Sequence, residues 1–590
     1  MTRLRPLFYG YDVTSNANSE GIPPALHDVL VSTGLFPTSQ VDALLQTPRD
    51  AAQPLIAALV ESGNVTEEAL LQALARVLHL DFTHLGEQDV DAAVRARVPT
   101  KVVFQYNIMP MRAENDTLIV ATSDPFNMTM VESIRMVAHC RVRLSLSTQA
   151  DIAKGLKRYY GVGAETLDEL IQKNKDVLDI DAVTQMSKED LENVDQEASV
   201  VKFVNQVIGE AVKERSTDIH LEPMENDLRI RYRVDGVLHQ TPVPPQLKRF
   251  QAAIISRIKV MANMDIAERR LPQDGRINVR SGGGEIDVRV STIPTAYGES
   301  VSLRLLMRTS LHIGLEKLGL DATDEHTVKK LVELPHGIIL VTGPTGCGKS
   351  TSLYAFLSTI NSIDQRIITI EDPIEYELPG VNQMQVKPDI GLTFAGGLRH
   401  ILRQDPDVIM VGEVRDLETA EIAIRAALTG HLVFSTLHTN DAAGAITRLI
   451  DMGIEPFLVS SSLEAIIAQR LVRTVCPACK EQYRPDAEML RNIGFPEDKL
   501  ATKFYRGRGC DECRFTGYRG RKGIFEILVM NEAMRPLIIE RTSSSTLKQA
   551  ACAKGMRTLR EDGWAKVCAG ISTVEEVARV TQEDEELVGT

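Results

Sequence analysis

The spacing of apolar positions divides the front of the chain into helical and extended patterns. Apolar residues recur three and four apart at 24–45 and 54–78, which predicts two amphipathic helices. They alternate with polar residues at 118–122 and 142–147, which predicts two strands. Turn residues, Asn115 and Ser123-Asp124-Pro125, separate these elements. We therefore expect residues 1–160 to form a separate α+β module, called the front module below.

A short duplication runs through the two predicted helices. Leu30-Val31-Ser32-Thr33-Gly34 and Leu59-Val60-Glu61-Ser62-Gly63 match at an offset of 29 residues (59 − 30). Two copies are too few for a solenoid. The pattern indicates two related units within the front module.

A second pattern of helix and strands starts at residue 198. Apolar positions three and four apart predict a helix at 200–213, and alternation predicts strands at 228–234, 276–279 and 285–291. The glycines of 281–284 predict a hairpin turn between the last two strands. We expect a small α+β domain at 198–313, called the middle domain below.

From residue 314 onward, apolar strands alternate with helical patterns. The predicted strands are 337–342, 367–371, 407–411 and 432–436, and helices at 544–554 and 573–580 follow near the end. Such alternation favours a parallel α/β sheet of the nucleotide-binding kind. We expect this third module to span 314–590.

Composition and charge fit a large protein of several domains. The chain has 590 residues, 43% of them hydrophobic, and a net charge of −14, so about three to five domains are expected. It lacks an apolar stretch of the roughly 18 residues that cross a bilayer, and residues 1–13 lack the apolar core of a signal peptide. These features predict a cytoplasmic protein.

Much of the negative charge lies in one segment. Residues 165–198 hold eleven Asp or Glu and three Lys, and 3 − 11 gives −8 of the −14. We interpret 161–197 as a solvated acidic linker, with an acidic docking segment as the alternative. The overall charge argues against a general nucleic-acid binder.

The strongest chemical motif follows the strand at 337–342. Gly343-Pro344-Thr345-Gly346-Cys347-Gly348-Lys349-Ser350 fits the pattern of a phosphate loop between a strand and a helix. Its glycines allow backbone N–H groups to surround a phosphate, Lys349 can reach the β and γ oxygens, and Ser350 can bind Mg²⁺. A chance string in a turn is the alternative. We predict ATP and Mg²⁺ as ligands.

Two further strands end in carboxylates, and a fourth is flanked by histidines. Glu413 follows the strand at 407–411, and Glu371 ends the strand at 367–371. Because parallel strands deliver their carboxyl ends to one edge, we expect Lys349, Glu371 and Glu413 to meet there. His431 and His438 flank the strand at 432–436, which suits sensing of the γ-phosphate. Exposed glutamates and structural histidines are the alternatives.

Two pairs of cysteines indicate a metal. Cys476-Pro477-Ala478-Cys479 and Cys510-Asp511-Glu512-Cys513 are separated by 30 residues (480–509). Four thiolates complete a tetrahedral shell and leave no position for water, so we predict a structural Zn²⁺. The intervening segment has too few apolar residues to fold alone. The other four cysteines, Cys140, Cys347, Cys552 and Cys568, have no pair spacing, and we interpret them as small apolar residues.

In combination these motifs resemble the ATPases of type II secretion and type IV pilus assembly. The resemblance spans about 198–580, some two thirds of the chain, and it also rests on these segments: Asp218-Ile219-His220, Arg231-Tyr232-Arg233-Val234-Asp235-Gly236, Glu371-Asp372-Pro373-Ile374-Glu375, Val411-Gly412-Glu413-Val414-Arg415-Asp416, Leu428-Thr429-Gly430-His431 and Ser435-Thr436-Leu437-His438-Thr439-Asn440. It implies a homohexameric ring of RecA-like ATPase domains, each preceded by a small PAS-like α+β domain.

The resemblance also implies roles for single residues. It makes Gly343 to Ser350 the Walker A motif, Glu371 the Asp-box residue, Glu413 the Walker B general base and His438 the histidine-box residue. Arg289 and Arg304 would reach the nucleotide of a neighbouring subunit. Four more arginines are placed as in the family, although each could equally form a surface salt bridge: Arg399, Arg403, Arg415 and Arg448.

Two features of the resemblance bear on direction and partners. The cysteine element followed by 517–526 is found in the assembly ATPases and not in the retraction ATPases. The duplication in the front module is similar to a motif that binds cyclic di-guanylate in some relatives. Those relatives carry Arg-Leu-Gly where this chain has Ala25-Leu26-His27 and Pro54-Leu55-Ile56, which argues against that ligand. We expect the front module to dock to an inner-membrane partner instead.

The resemblance therefore predicts an ATP hydrolase that drives pseudopilus assembly through an inner-membrane platform protein, with pilin-like subunits as indirect partners. The segment 440–449 favours type II secretion. Type IV pilus extension is the alternative, and a DNA-uptake or DNA-translocation ATPase is a more distant one. A nucleotide switch without hydrolysis is a further class, and Glu413 argues against it.

Overall fold

We analysed a computed structural model of the chain, which describes residues 26–38, 41, 56, 59–60, 65–85, 90–161, 194–281, 284–307 and 314–581. The chain divides into two compact units, Met1–Leu305 and Leu306–Thr590, and each is described by itself. The acidic segment predicted at 161–197 lies outside the described residues except for 161 and 194–197. Among the helices described, none has the length and apolar character needed to cross a membrane.

The front module is a four-stranded sheet covered by helices. The sheet order is β1-β4-β3-β2. Leu118, Val120 and Ile134 lie in its core. The elements are α1 (Leu26–Ser32), α2 (Glu67–Leu78), β1 (Asp81–Phe82), α3 (Ala92–Arg95), α4 (Thr100–Gln105), β2 (Met109–Glu114), β3 (Thr117–Thr122), α5 (Met128–Ala138), β4 (Arg141–Leu146) and α6 (Gln149–Tyr160).

The two predicted strands of the front module are confirmed as β3 and β4, but the two predicted long helices are interrupted. The first ends at Ser32, where Gly34 turns with a φ of +70°. The helix α2 begins only after Thr66, whose side chain accepts the backbone N–H of Ala69 and caps it. The matching residues Leu30 and Leu59 are both buried in one apolar cluster, so the two repeats share a packing role.

The middle domain packs two helices against a six-stranded sheet of order β7-β6-β5-β10-β9-β8. The predicted helix and strands are confirmed, and the register pairs Ser281 with Gly284 at the predicted hairpin. Sequence analysis did not assign β5, β7 or β10. The elements are α7 (Val194–Lys213), β5 (Ser216–Pro223), β6 (Leu228–Val234), β7 (Val237–Thr241), α8 (Gln251–Met261), β8 (Gln273–Ser281), β9 (Gly284–Thr295) and β10 (Gly298–Met307).

The second unit is built on a seven-stranded sheet of order β13-β12-β14-β15-β11-β16-β19. Neighbouring strands run parallel except β16 and β19. Its elements up to the last parallel strand are α9 (Leu315–Leu318), α10 (Ala322–Val332), β11 (Gly337–Thr342), α11 (Lys349–Ile360), β12 (Ile367–Glu371), β13 (Asn382–Gln385), α12 (Phe394–Ile401), β14 (Val408–Val411), α13 (Leu417–Leu428), β15 (Leu432–Leu437), α14 (Ala442–Asp451), α15 (Pro456–Ser462) and β16 (Leu463–Val475).

The predicted parallel arrangement of the four strands is confirmed by their registers. Val341 pairs with Thr436 and Thr342 with Leu437, while Val411 pairs with Ser435. The strands β11, β12, β14 and β15 are buried throughout, because helices cover both faces of a parallel sheet. Their carboxyl ends therefore lie along one edge.

The remaining elements form an insertion and a helical end. They are β17 (Lys480–Tyr483), α16 (Ala487–Asn492), β18 (Phe504–Gly507), β19 (Tyr518–Val529), α17 (Met534–Ile539), α18 (Ser544–Ala553), α19 (Leu559–Cys568) and α20 (Val574–Thr581). The predicted helices at 544–554 and 573–580 are confirmed as α18 and α20. The long antiparallel pair β16 and β19, which frames the insertion, was not assigned from the sequence.

The insertion between the cysteine pairs is packed onto the unit. Leu490, Phe495 and Phe504 are buried in the large apolar cluster of the sheet. The ring of Phe495 lies edge-on to Trp564 of α19, with centroids 5.2 Å apart. The expectation that this segment has too little apolar surface to fold alone is consistent with this packing, because its core is completed by α19.

Candidate functional site

The phosphate loop, Gly343 to Ser350, connects β11 to α11 at the carboxyl edge of the parallel strands. Gly343, Gly346 and Gly348 have φ angles of 149°, 80° and 95°, which residues with a Cβ rarely adopt. A Cβ on Gly343 would also lie 2.6 Å from the Sγ of Cys347 and from the backbone oxygen of Gln469. The loop conformation therefore depends on glycine.

Lys349 is the first residue of α11 and its ammonium folds back over the loop. The Nζ donates to the carbonyl oxygens of Gly343 at 2.7 Å and Pro344 at 3.2 Å. Burial lowers the pKa of Lys349. Both acceptors are neutral, so an anion would be a stronger partner. Ser350 is exposed in the first turn of α11, where the helix dipole also favours anions. These residues fit a bound triphosphate.

Glu413 and His438 face each other across neighbouring strand ends. Glu413 follows β14 and His438 follows β15. The Nε2 of His438 lies 3.4 Å from one carboxylate oxygen of Glu413, and the guanidinium of Arg415 contacts the other. The negative charge of Glu413 favours the charged form of Lys349. The structure thus brings Lys349, Glu413 and His438 to one edge.

Glu371 lies at the end of β12, in a more enclosed position. Its side chain accepts hydrogen bonds from the hydroxyls of Tyr354 and Thr369, the latter at 2.6 Å, and from the Nε2 of Gln383 at 3.1 Å. Only 4% of Glu371 is exposed, and burial raises its pKa. The donors to Glu371 are neutral and the residue is almost fully buried, whereas Glu413 is paired with the cation Arg415 and 15% of its side chain is exposed.

The two histidines do not point to the same edge, and that expectation is wrong for His431. His431 precedes β15, and its backbone oxygen accepts the N–H of Gly337 at the amino end of β11. Its Nδ1 lies 2.9 Å from the oxygen of Ala426 at the end of α13. A strand separates His431 from the phosphate loop, so only His438 is placed to contact the site.

The edge also contains residues that sequence analysis missed. Thr342, before the loop, contacts the hydroxyl of Thr439 at 2.7 Å. On β16, Gln469 accepts a hydrogen bond from the hydroxyl of Ser352 at 2.7 Å. The guanidinium of Arg470 donates to the backbone and side-chain oxygens of Asn440 at 3.0 and 3.2 Å. The polar pair Gln469-Arg470, between the apolar runs 465–468 and 471–472 of β16, was the available signal.

The arginines predicted from the resemblance occupy several places. Arg304 on β10 donates to Asp218 at 3.0 Å, and Arg289 lies on β9 opposite Arg276. Of the other four, Arg415 contacts Glu413. Arg399 pairs with Glu418, Arg403 donates to the backbone of Arg399 at 2.8 Å, and Arg448 is exposed on α14.

The four-cysteine cluster, Cys476, Cys479, Cys510 and Cys513, lies where β16 ends and before β19 begins. The four sulfurs lie within 4.8 Å of one another. Cys476 and Cys510 are 3.8 Å apart, and Cys513 is 3.7 Å from both Cys479 and Cys510. Sulfurs on a tetrahedron with Zn–S bonds of about 2.3 Å are about 3.8 Å apart. The residues fit a zinc ion, and the spacing is too long for disulfides.

Backbone donors surround these sulfurs. The N–H groups of Cys510 and Gly517 donate to the Sγ of Cys513 at 3.2 and 3.3 Å, and that of Gly509 donates to Cys479 at 3.3 Å. Although burial opposes it, these bonds help lower the pKa of the Cys513 thiol to about 7. Donors of this kind stabilise thiolates, the form that binds metal.

Family profiles match two parts of the chain. One described as Type II/IV secretion system protein matches residues 193–579, which is more than half of the chain. Another described as MshEN domain matches residues 78–166. A solved structure of the pilus retraction motor PilT with bound ADP is 30% identical and covers 66% of this chain and 99% of its own, with a TM-score of 0.44.

Individual relatives come from both branches of the family. The type IV pilus assembly ATPase PilB of Myxococcus xanthus is 41% identical over 568 residues, which are 95% of this chain and 99% of that protein. Type II secretion system protein E of Pseudomonas aeruginosa is 53% identical over 396 residues, 67% of this chain and 78% of its own. Protein E of Xanthomonas campestris pv. campestris is 43% identical over 546 residues, 91% and 95% of the two chains.

Proposed function

Because the chain belongs to the family of type II and type IV secretion system ATPases, we propose that it powers type II protein secretion from the cytoplasmic side of the inner membrane. It works as a homohexamer that hydrolyses ATP and drives pseudopilus assembly through an inner-membrane platform protein. The identity of 53% to a protein E over 396 residues favours secretion over other uses of the fold.

The observation that carries the proposal is the meeting of Lys349, Glu413 and His438 at one sheet edge. Lys349 and the loop N–H groups would hold the phosphates, and the Ser350 hydroxyl would bind Mg²⁺. Bound ATP and Mg²⁺ supply the phosphoryl chemistry. Glu413, whose carboxylate is next to Arg415 and His438, orients the attacking water and accepts its proton. His438 lies where it could contact the γ-phosphate and so sense its presence.

Glu371 has a positioning role in this scheme. Its carboxylate is buried and accepts bonds from Tyr354, Thr369 and Gln383. A base must be free to reach the water proton, so we assign the proton to Glu413. Glu371 holds the end of β12 against the helix α11, because its donor Tyr354 belongs to α11.

Arginines from the middle domain complete the site of a neighbouring subunit. Arg289 and Arg304 lie on adjacent strands of the six-stranded sheet. Arg304 is paired with Asp218, and 57% of its side chain is exposed, so it can exchange partners at low cost. An arginine supplied to a transferring phosphoryl group contributes on the order of 10³ to 10⁵ in rate.

The four-cysteine cluster holds a structural Zn²⁺. The sulfur separations and the N–H donors to Cys479 and Cys513 support this assignment. With four protein ligands the ion has no open position, so its role is to hold β16, β19 and the insertion together.

The front module docks to a membrane-anchored partner. Its 78–166 portion matches the MshEN profile, but arginines are missing at the repeat starts, so cyclic di-guanylate binding is not part of the proposal. Ala25, Pro54 and Leu55 of those repeat starts lie outside the described residues.

Pilus extension is the second candidate. It is supported by the M. xanthus PilB alignment, which covers 95% of this chain, against 91% for the X. campestris protein E alignment.

Replacing the chromosomal gene with a Lys349→Ala allele separates the two candidates. We expect secreted proteins to accumulate inside the cell while surface pili remain, because the phosphate loop no longer binds ATP. Loss of pili with normal secretion would favour the second candidate, and loss of neither would contradict both. A Lys330→Ala allele, which removes a lysine of α10 outside the site, is the matched control.

A further inference from the structure

Arg470 lies directly beside the phosphate loop, on the strand next to β11. Only 8% of the residue is exposed. Its Nη1 donates to the backbone oxygen of Gln469 at 3.2 Å, and its Nη2 donates to both oxygens of Asn440. The same Nη1 would lie 3.2 Å from a Cβ on Gly343, the first loop residue. Arg470 therefore touches the loop from within the protein.

The charge of Arg470 has no carboxylate partner. Its described acceptors are all neutral, and among the described residues no carboxylate oxygen lies within 4.0 Å of the guanidinium. Lys349 is a second cation beside the loop, and the charge of Arg470 disfavours the charged form of Lys349. A buried cation without an anion is costly, so a bound anion would be a favourable partner.

Arg473 on the same strand shows the contrasting case. Its Nη2 is 2.7 Å from a carboxylate oxygen of Glu576, which is fully buried. Its backbone N–H donates to the other oxygen at 3.1 Å. Arg470 and Arg473 lie three residues apart on β16. Among the described residues, the fold supplies a carboxylate partner for Arg473 but not for Arg470.

We propose that Arg470 is a positioning residue whose positive charge stabilises bound nucleotide. It fixes the start of the loop against Asn440, and its cation destabilises the empty site and stabilises the site that contains phosphate. This inference rests on the proposed nucleotide site. It explains why a buried arginine stands beside the first residue of the phosphate loop.

The test compares two variants of the full-length hexamer, with Mg-ADP as the probe. Arg470→Gln removes the charge and keeps an N–H donor, whereas Arg470→Lys keeps the charge and loses the two-pronged contact with Asn440. We expect Arg470→Gln to weaken Mg-ADP binding on the order of tenfold, and Arg470→Lys to weaken it much less. Isothermal titration measures both.

Thermal unfolding without nucleotide gives an independent readout. Because an uncompensated buried charge is removed, we expect the melting temperature of Arg470→Gln to be unchanged or higher, with a smaller increase on adding Mg-ADP. Arg473→Gln is the matched control and should do the reverse. It loses a buried ion pair and melts earlier, while its affinity for Mg-ADP stays the same.

Three outcomes would overturn the inference. These are unchanged Mg-ADP affinity in Arg470→Gln, equal losses in the Gln and Lys variants, or failure of Arg470→Gln to fold without nucleotide. The variant Lys349→Ala shows whether such a result contradicts only the role of Arg470 or the proposed nucleotide site as well. If Lys349→Ala also binds Mg-ADP normally, the nucleotide site itself is misplaced. If only Lys349→Ala loses binding, the site stands and the role of Arg470 does not.

Discussion

The phosphate loop and the four-cysteine cluster each follow the end of a strand, and the two strands, β11 and β16, are neighbours in one sheet. At the loop, Pro344, Thr345 and Ser350 are exposed, and the ammonium of Lys349 donates to neutral carbonyl oxygens. At the cluster, three of the four cysteines are buried and backbone donors surround them.

This difference shows how one sheet can carry an open site and a closed one. All four cysteines of the cluster lie within 476–513, so the zinc site we propose there can be complete within one subunit. The phosphate loop leaves charged groups, Lys349 and Arg470, with neutral partners, so its best partner is a ligand. A site whose groups are all paired within the protein stabilises the fold. A site with charges that have neutral partners is stabilised when a charged ligand binds.

We expect the largest effect from Cys479→Ser, which removes one of the four sulfurs of the proposed zinc site. Structural zinc contributes roughly 10–16 kcal/mol to small zinc-dependent domains, and we expect this chain to lose at least about 4 kcal/mol of unfolding free energy, or about 10 °C in melting temperature. Calorimetry and zinc content by atomic absorption measure the loss. Cys552→Ser, at a half-buried cysteine on α18, is the control. Full zinc content in Cys479→Ser would contradict the assignment.

At the open site, Glu413→Gln should leave the fold intact and stop the chemistry. Loss of a general base lowers turnover on the order of 10²–10³-fold, while ATP binding is retained because Lys349 is unchanged. Steady-state ATPase assays and nucleotide titration measure the two. Glu371→Gln should reduce turnover less. If Glu371→Gln had the larger effect, the two roles would be reversed. Glu421→Gln, in an exposed pair with Arg425, is the control.

The packing of α20 onto β16 can be weakened through Glu576, which pairs with Arg473. Burial raises the pKa of this carboxyl, but hydrogen bonds from Arg579 and Arg473 outweigh it and hold the pKa below the ordinary 4.5. Glu576→Gln breaks a buried pair and should cost about 3 kcal/mol at neutral pH, measured by denaturant unfolding. Glu575→Gln, at the exposed neighbour, is the control.

The pH dependence of that cost has a definite sign. A depressed carboxyl pKa stabilises the folded state above the unfolded pKa of 4.5, and this stabilisation disappears as pH falls through the lower, folded value. The difference between wild type and Glu576→Gln should therefore be constant near neutral pH and shrink below 4.5. A difference that grows on acidification would show that Glu576 is not held as a charged partner.

The smallest effect is expected from sharing of the open site between subunits. Arg304→Ala and Lys349→Ala should each be inactive alone, and Arg289→Ala behaves like Arg304→Ala. In mixed hexamers an intact site forms where an Arg304→Ala subunit receives the arginine of a Lys349→Ala neighbour, so about a quarter of sites should recover. ATPase assays after subunit exchange measure this, with a double variant as control. Absence of any recovery would place the whole site within one subunit.

Much of the site was predictable because its parts follow strands that are recognisable locally. The apolar run before Gly343 and the glycines of the loop identify a strand, a turn and a helix without further information. The cysteine spacing likewise predicted that the four sulfurs lie together, which they do. His431 was harder, since a residue before a strand and one after it lie close in sequence but at opposite ends of the element.

Local sequence patterns were enough to predict the four parallel strands around the site, the turn of the loop, and the residue types that can hold phosphate and metal, because these depend on neighbours along the chain. Tertiary structure decided that Glu371 is enclosed while Glu413 is accessible. It also decided that β16 lies beside β11, which brings Gln469 to Ser352 across 117 residues and places Arg470 at Gly343. Register between distant strands is set by packing of the whole sheet, and no local pattern contains it.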